Sequence, residues 1–335
     1  MRVLGIMINY RTAELTAKAA DCLLAELDAV GDSHLLIIDN DSQDGSLEVL
    51  HSEASKRGWG TRATVIGAPR NGGYGYGINV GAKWGFQQAN VPQYLYVLNS
   101  DAFADTQSLR NMVAYMDGHP EAGLAGNDIR GMHGEVQAAA FRFPTVASEI
   151  EAYAQLKLFS TLLRDRVVSL GHSTSDRQVD WVPGTSMLIR SEAWHQVGPF
   201  DEGFFLYFEE VDYCHRVRNT GWKVVSVANA PVTHIGSVST GMDDETKSMP
   251  QYWFDSRYRY FRKHHGKGYA AVSDIAFLLG NLLYVAKKKV KGEKATLRPK
   301  LLSNFARFSV GSFFANTIPG DAAANAQAAE EKRTA

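Results

Sequence analysis

A chain of 335 residues that is 45% hydrophobic and 21% charged has the composition of a folded globular protein, which excludes a disordered, collagenous or coiled-coil chain. Thirty-five Lys and Arg against 36 Asp and Glu leave a formal charge of −1, and that near-neutral total argues against a dedicated nucleic-acid partner. Cys22 and Cys214 lie far apart without zinc-ligand spacing, and two free thiols fit a reducing compartment.

In chain order, short β-branched runs alternate with longer amphipathic ones. Strands are predicted at Val3–Asn9, His34–Asp39, Ala63–Gly67 and Tyr94–Leu98. Helices are predicted at Thr12–Val30, from Ser46 to about Lys56, from about Gly77 to Asn90, and at Asp105–Met116. The run Val3–Ile8 is too short for a signal peptide, so the chain is expected to begin inside its fold. This alternation predicts an α/β fold with a parallel sheet covered on both faces. Such sheets bind ligands beyond the carboxyl ends of their strands. Asn9, Asp39, Asn71 and Asp101 each follow a predicted strand and are expected to converge on one crevice.

Beyond Asn127 the pattern loosens. It predicts a strand at Ala138–Pro144, a helix at Ser148–Arg166 and a kinked strand at Val179–Arg190 around Pro183-Gly184. A short helix at Glu192–Val197, a helix at Phe204–Thr220 and strands at Lys223–Ala228 and Val232–His234 follow. After Met242 come helices at Tyr252–His265, Asp274–Lys289 and Leu301–Ala315, and the last fifteen residues read as a frayed tail.

Several segments carry candidate chemistry. In Asp39-Asn40-Asp41-Ser42-Gln43-Asp44-Gly45-Ser46, turn formation and helix capping account for Asp44 and Ser46 but not for Asp39 at the end of an apolar strand. Asp39 is either a structural turn acid or an acceptor for a base or ribose. The glycines of Asn71–Gly81 permit close backbone approach, yet Gly75-x-Gly77-x-x-x-Gly81 is one residue too long for a dinucleotide fingerprint. Tyr74 and Tyr76 either stack on a base or pack. Asn99-Ser100-Asp101 ends a strand, where a lone carboxylate either caps the next helix or holds Mg²⁺ or Mn²⁺ together with substrate phosphates.

The segment Phe200–Asp212 sets five acids among aromatics, with Glu209, Glu210 and Asp212 in one helical turn. Burial of the rings holds at least one carboxylate near apolar surface, where it becomes a usable base. Arg216 and Arg218 are the alternative, structural partners of Asp212 or Glu209. His234 is a turn histidine or a metal ligand, and Trp181 packs or stacks on a sugar.

Taken in order, Asn9-Tyr10, IIDNDSQDGS, NGGYGYGINVG, LNSDA, WVPGTSMLIR, FDEGFFLYFEEVDYCHRV and THIGSVS resemble the family 2 glycosyltransferases, and more narrowly their bacterial rhamnosyltransferase-like branch, which builds surface polysaccharides such as lipopolysaccharide O-antigens. The resemblance runs from Met1 to Ser239, with a weaker echo to His265. It implies a GT-A fold and inverting transfer from a nucleotide-diphosphate sugar, deoxythymidine-diphosphate rhamnose first, to a glycan or lipid-linked acceptor. The pattern along the chain divides it into a catalytic domain over 1–241 (nucleotide-sugar half 1–126, acceptor half 127–241), a basic helical extension at 242–318 and a flexible tail at 319–335. By position in the family's motifs, Asn9, Tyr10, Asp39, Asn71, Asn99 and Asp101 match the donor pocket. Asp101 and His234 match the Mg²⁺ or Mn²⁺ site, and Glu210 stands at the position of the base, usually an Asp. Trp181, Gly184, Glu209 and Asp212 line the acceptor and sugar pocket.

Two other readings remain from the residues themselves: a nicotinamide-dependent oxidoreductase using the glycine turn, and a catalytically silent sugar-nucleotide binder. In the basic extension, an apolar run at Ile275–Ala286 precedes Lys287-Lys288-Lys289-Val290-Lys291. It is too short to span a bilayer. Residues 275–300 are therefore an interfacial segment on an anionic membrane or a packed helix with a solvated end, and the expected location is cytoplasmic, peripheral on the inner leaflet.

Overall fold

The computed structural model describes residues 1–236, 242, 244–325 and 327. Its elements in chain order are β1 (Val3–Asn9), α1 (Ala13–Val30), β2 (Ser33–Asp39), α2 (Ser46–Lys56), β3 (Ala63–Gly67), α3 (Tyr74–Phe86), β4 (Tyr94–Asn99), β5 (Ala102–Ala104), α4 (Ser108–Gly118) and β6 (Ala122–Arg130). They continue with α5 (Val146–Ala154), α6 (Lys157–Leu162), β7 (Arg177–Val179), β8 (Ser186–Arg190), α7 (Ser191–Val197), α8 (Glu209–Asn219), β9 (Lys223–His234), α9 (Gln251–Val290) and α10 (Leu301–Phe314).

Two compact units emerge. One holds Met1–Phe141, Gly171–Asp201 and Glu209–Gly241, and the other holds Arg142–Leu170, Glu202–Phe208 and Met242–Ala335. The chain thus passes between units several times, where the sequence pattern suggested a single cut near residue 241. The segments 142–170 and 202–208 join the helical unit because their side chains pack there: Glu149 of α5 and Phe204 both contact residues of α9.

The first unit is built on a mixed sheet in the order β3-β2-β1-β4-β8-β6-β9-β5, with β7 added alongside β9. Strands β1 to β4 are parallel, as the alternation predicts, while β8 enters antiparallel to β4 and β5 and β7 pair antiparallel with β9. β1 is buried along its whole length, which explains its continuous apolar run. Glu26, buried in α1, accepts the N–H groups of Gln107 and Leu109 at 2.8 and 3.0 Å and caps α4 from outside.

Several elements differ from expectation, each for a physical reason. β6 (AGLAGNDIR) lacks β-branched signal at its start, yet it is a central strand. A Cβ on Gly123 would lie 2.7 Å from Trp222 Cβ, and one on Gly126 would lie 2.6 Å from Val182 Cβ, so the small residues admit neighbours that hold the strand in place. The strand expected at Ala138–Pro144 shrinks to one bridge, Phe141 with Trp181. The predicted helix 148–166 starts at Val146 behind a Thr145/Ser148 capping box and stops at Ala154, where Gln155 turns into the left-handed region (φ 48°). The two predicted strands at the end of the sheet are one, β9, running through Pro231 with a register shift against β6. α8 begins only at Glu209, because Tyr207 and Phe208 both sit at positive φ (67° and 66°).

The second unit is helical. α9 is interrupted at Gly266 (φ 85°, ψ 174°) between the two helices expected there. Phe254, Phe277, Leu301 and Phe305 form its apolar core. Arg257, 1% exposed, donates to Glu149 Oε2 at 2.7 Å and Asp274 Oδ1 at 2.5 Å, and Ser309 Oγ donates to Asp274 Oδ2 at 2.6 Å. One cation therefore ties α5, both halves of α9 and α10 together. Residues Ser237–Ser239 of the THIGSVS motif and the end of the predicted tail lie outside the described residues.

Candidate active site

The carboxyl ends of β1 and β2 are locked together. Asn9, fully buried, donates to Asp39 Oδ1 at 2.7 Å, while its own Oδ1 accepts from Thr16 Oγ1 at 2.7 Å. Asp39 also accepts from Ser42 Oγ at 2.6 Å and Ser42 N at 3.0 Å. Both side chains named as donor-pocket residues are thus engaged in shaping the turn, and the polar atom left over is next door. Asn40 donates to Asn71 Oδ1 at 3.2 Å and to Gly73 O at 3.1 Å, but its Oδ1 is buried with no hydrogen-bond partner. Asn71 in turn accepts from Gly73 N at 3.1 Å. Asn40 was missed in the sequence because Asx turns are made by the same residues that could bind a ligand.

The glycine run has a packing role that its spacing encodes. Gly77, Gly81 and Gly85 recur every four residues on one face of α3, and a Cβ on each would meet Ile8, Ile6 and Leu4 at 2.8, 2.8 and 2.4 Å. These are alternate residues of β1 on one side of the sheet. The run therefore seats a helix on a strand, which removes the observation that suggested a dinucleotide fingerprint. Asn79, on the same helix, exchanges two hydrogen bonds with the backbone of Phe200 (2.8 and 2.9 Å) and fixes the segment leading to the acids.

Asp101 and His234 meet because β5 pairs with β9, Ala102 facing His234. His234 Nε2 lies 3.2 Å from Asp101 Oδ1 but off the line that a hydrogen bond needs, so it is buried without a hydrogen-bond partner. An orphaned imidazole nitrogen beside a carboxylate is a donor set that fits a divalent cation. Among the described residues no third His, Cys, Asp or Glu joins them. The remaining positions would fall to water and phosphate oxygens, the pattern typical of Mg²⁺.

Glu209 and Glu210 open α8 with their Oε2 atoms buried and without hydrogen-bond partners. Burial raises Glu210 from 4.5 to about 7, and burial followed by the charge of Glu210 raises Glu209 well above its ordinary value. Tyr74 joins this pair to the Asp101 end of the site. Its hydroxyl donates to Gly184 O at 2.9 Å. Burial first, then the charges of Glu209, Asp101 and Glu210, keep that phenol protonated. A Cβ on Gly184 would lie 3.3 Å from the Tyr74 ring, close enough that the ring would have to shift, and 3.7 Å from Glu210 Cβ, an ordinary contact. Tyr74 had been read as stacking or packing. Its contact with Gly184, 110 residues away, carries no local signal.

Other expected site residues have structural partners. Asp212 is fully buried and accepts from Arg216 Nε at 2.9 Å, while Arg216 also binds Val197 O and Pro199 O, so Asp212 is anchored by that arginine. Trp181 stacks on Phe141 at 4.2 Å, the packing alternative for one of its faces. Asn99 donates its backbone N–H to Thr185 O at 2.9 Å. Tyr10 lies beside Arg11, whose guanidinium sits 5.0 Å from its ring. Among the described residues, neither Tyr10 nor Asn99 is joined by a side-chain hydrogen bond to the other candidates.

Residues 6–145 match the sequence profile of glycosyl transferase family 2. The chain carries a family 2 glycosyltransferase domain. An N-acetylglucosaminyl-diphospho-decaprenol L-rhamnosyltransferase of Mycobacterium tuberculosis is 29% identical over 226 residues, covering 62% of this chain and 68% of the relative. The mannosyltransferase PcManGT from Pyrobaculum calidifontis, solved with GDP-Man and Mn²⁺, shares the fold at a TM-score of 0.55 and 14% identity, over 98% of this chain and 84% of its own. GalNAc-T7, solved with UDP, GalNAc and Mn²⁺, does so at 0.57 and 13%, over 95% and 59%. The fold is GT-A and the protein is a glycosyltransferase. The oxidoreductase and catalytically silent readings are set aside.

Proposed function

We propose that the protein is an inverting, metal-dependent rhamnosyltransferase that moves L-rhamnose from a deoxythymidine-diphosphate donor to a hydroxyl of a lipid-linked saccharide at the cytoplasmic face of the membrane. The observation that carries the mechanism is the Glu209–Glu210 pair, each with a buried Oε2 that has no hydrogen-bond partner, Glu210 lying beside Gly184. Glu210, as carboxylate, accepts the proton of the acceptor hydroxyl while that oxygen forms its bond to the anomeric carbon. The bond from that carbon to the diphosphate oxygen breaks on the opposite face, and the configuration inverts. Burial and the charge of Glu210 raise the proton affinity of Glu209, which disfavours a second charge beside the base. Asp101 and His234 would hold Mg²⁺ or Mn²⁺, which supplies charge neutralisation for the departing diphosphate. Asn40, with its free buried carbonyl oxygen, stands ready for an N–H donor of the nucleobase, while Asn9, Asp39 and Asn71 hold the turn that presents it.

The donor and acceptor classes rest on likeness to a relative named for rhamnose transfer to a decaprenyl-diphosphate sugar. The test is Glu210→Gln. Turnover is expected to fall by about 10² to 10⁴-fold, with donor affinity in the presence of Mn²⁺ unchanged. Turnover within a few-fold of the unsubstituted protein defeats the assignment.

A further inference from the structure

We propose that the outer face of the second half of α9 docks on an anionic lipid bilayer. The inference rests on the reading of a lipid-linked acceptor and names the surface that would bring the enzyme to it. Beyond Gly266 this helix has two faces. Ser273, Asp274, Phe277, Gly280, Asn281 and Tyr284 are buried, with Asp274 bound to Arg257 and Gly280 pressed so close to α5 that a Cβ would lie 2.9 Å from Tyr153 Cβ. On the other face Val272, Ile275, Leu279 and Leu282 are 50, 62, 45 and 54% exposed. Their spacing of three, four and three residues makes one stripe, and the next positions on it are the exposed Ala286 and Lys289.

Charge identifies the occupant. Residues 242–318 carry fourteen Lys and Arg against six Asp and Glu. The stripe is bracketed by Lys263 and Lys267 before it and by Lys287, Lys288, Lys289, Lys291 and Lys294 after it. Pairing with a second copy of the stripe would set cation against cation in either direction, parallel or antiparallel. An anionic lipid surface accepts both the apolar row and its basic ends. By length and composition the helix Gln251–Val290 could cross a membrane, but 44% of its most apolar window is buried inside the protein. With Asp274 and Asn281 on the inner face, it lies on a bilayer and does not pass through one.

The full chain is sedimented with vesicles of phosphatidylcholine alone and of phosphatidylcholine mixed with phosphatidylglycerol. Partitioning to the anionic vesicles is expected to exceed that to the neutral ones by more than tenfold and to weaken with salt. The triple variant Ile275→Gln/Leu279→Gln/Leu282→Gln and the separate triple variant Lys287→Gln/Lys288→Gln/Lys289→Gln are each expected to lose at least tenfold, with far-ultraviolet circular dichroism unchanged. No preference for anionic vesicles by the unsubstituted chain overturns the proposal, as does unchanged binding by both variants. A dimer seen by light scattering that the apolar triple variant abolishes overturns it in favour of a second copy of the chain. Release of nucleoside diphosphate from dTDP-rhamnose, measured without vesicles, separates the two readings. Vesicle binding absent with release intact sinks the docking surface alone. Release absent with vesicle binding intact sinks the transferase reading of this donor and leaves the docking surface supported.

Discussion

Each unit of the molecule holds a pair of carboxylates with buried oxygens, and the two pairs are treated differently. In the helical unit, Glu149 and Asp274 share Arg257, and Ser309 satisfies the oxygen of Asp274 that the guanidinium leaves free. In the sheet unit, Glu209 and Glu210 are adjacent and neither has an ion pair among the described residues, and each leaves one buried oxygen unbonded. Burial raises the proton affinity of Glu149 as it does that of Glu209 and Glu210. A raised pKa therefore does not separate a structural acid from a chemical one. The hydrogen-bond partner does: a buried charge that finds its counter-charge holds the fold, and one left without it is available to a substrate.

The largest test of this contrast is to remove the counter-charge from the paired cluster. Arg257→Met leaves Glu149 and Asp274 facing each other unpaired, and a loss of about 3 to 5 kcal/mol is expected in denaturant unfolding. A loss under about 1 kcal/mol would mean that the cluster is incidental. On the unpaired side the sign reverses. Glu210 titrates near 7 in the folded state against an ordinary 4.5, so the stability it contributes is present below pH 4.5 and disappears as pH rises through about 7. Glu210→Gln should therefore stabilise the protein at pH 8 by about 2 to 3 kcal/mol and leave it nearly unchanged at pH 4. In the unsubstituted enzyme, turnover should fall as pH drops below about 7, because protonated Glu210 cannot accept a proton. A flat profile between pH 5 and 8 would assign the base elsewhere. The smallest effect expected concerns the scaffold: Gly81→Ala pushes a methyl against Ile6 and should cost about 1 to 3 kcal/mol in thermal unfolding without changing that pH profile.

Much of this contrast is written locally. Within α8, Asp212 has Arg216 four residues on, whereas Glu209 and Glu210 have Tyr213 and Cys214, so the i to i+4 positions already separate the anchored acid from the unpartnered ones. The βαβ half was equally legible, since each parallel strand is a short buried run with turn residues at its end. Long-range placement was not. Arg257 meets Glu149 across 108 residues, Tyr74 meets Gly184 across 110, and Gly123 and Gly126 of β6 lie against Trp222 and Val182. The glycine run of α3 is ambiguous in sequence for a related reason. A four-residue glycine period serves helix-on-strand packing and backbone approach to a phosphate alike, and only the positions of Ile8, Ile6 and Leu4 distinguish them.

The central claim, that Glu210 is a base kept ionisable at the expense of stability, is tested most directly by measuring unfolding at pH 8 and nucleoside diphosphate release on the same preparation of Glu210→Gln. The account predicts a protein that is more stable than its parent by about 2 to 3 kcal/mol and at least about a hundredfold slower. A variant that is less stable, or that turns over at the parent's rate, contradicts it.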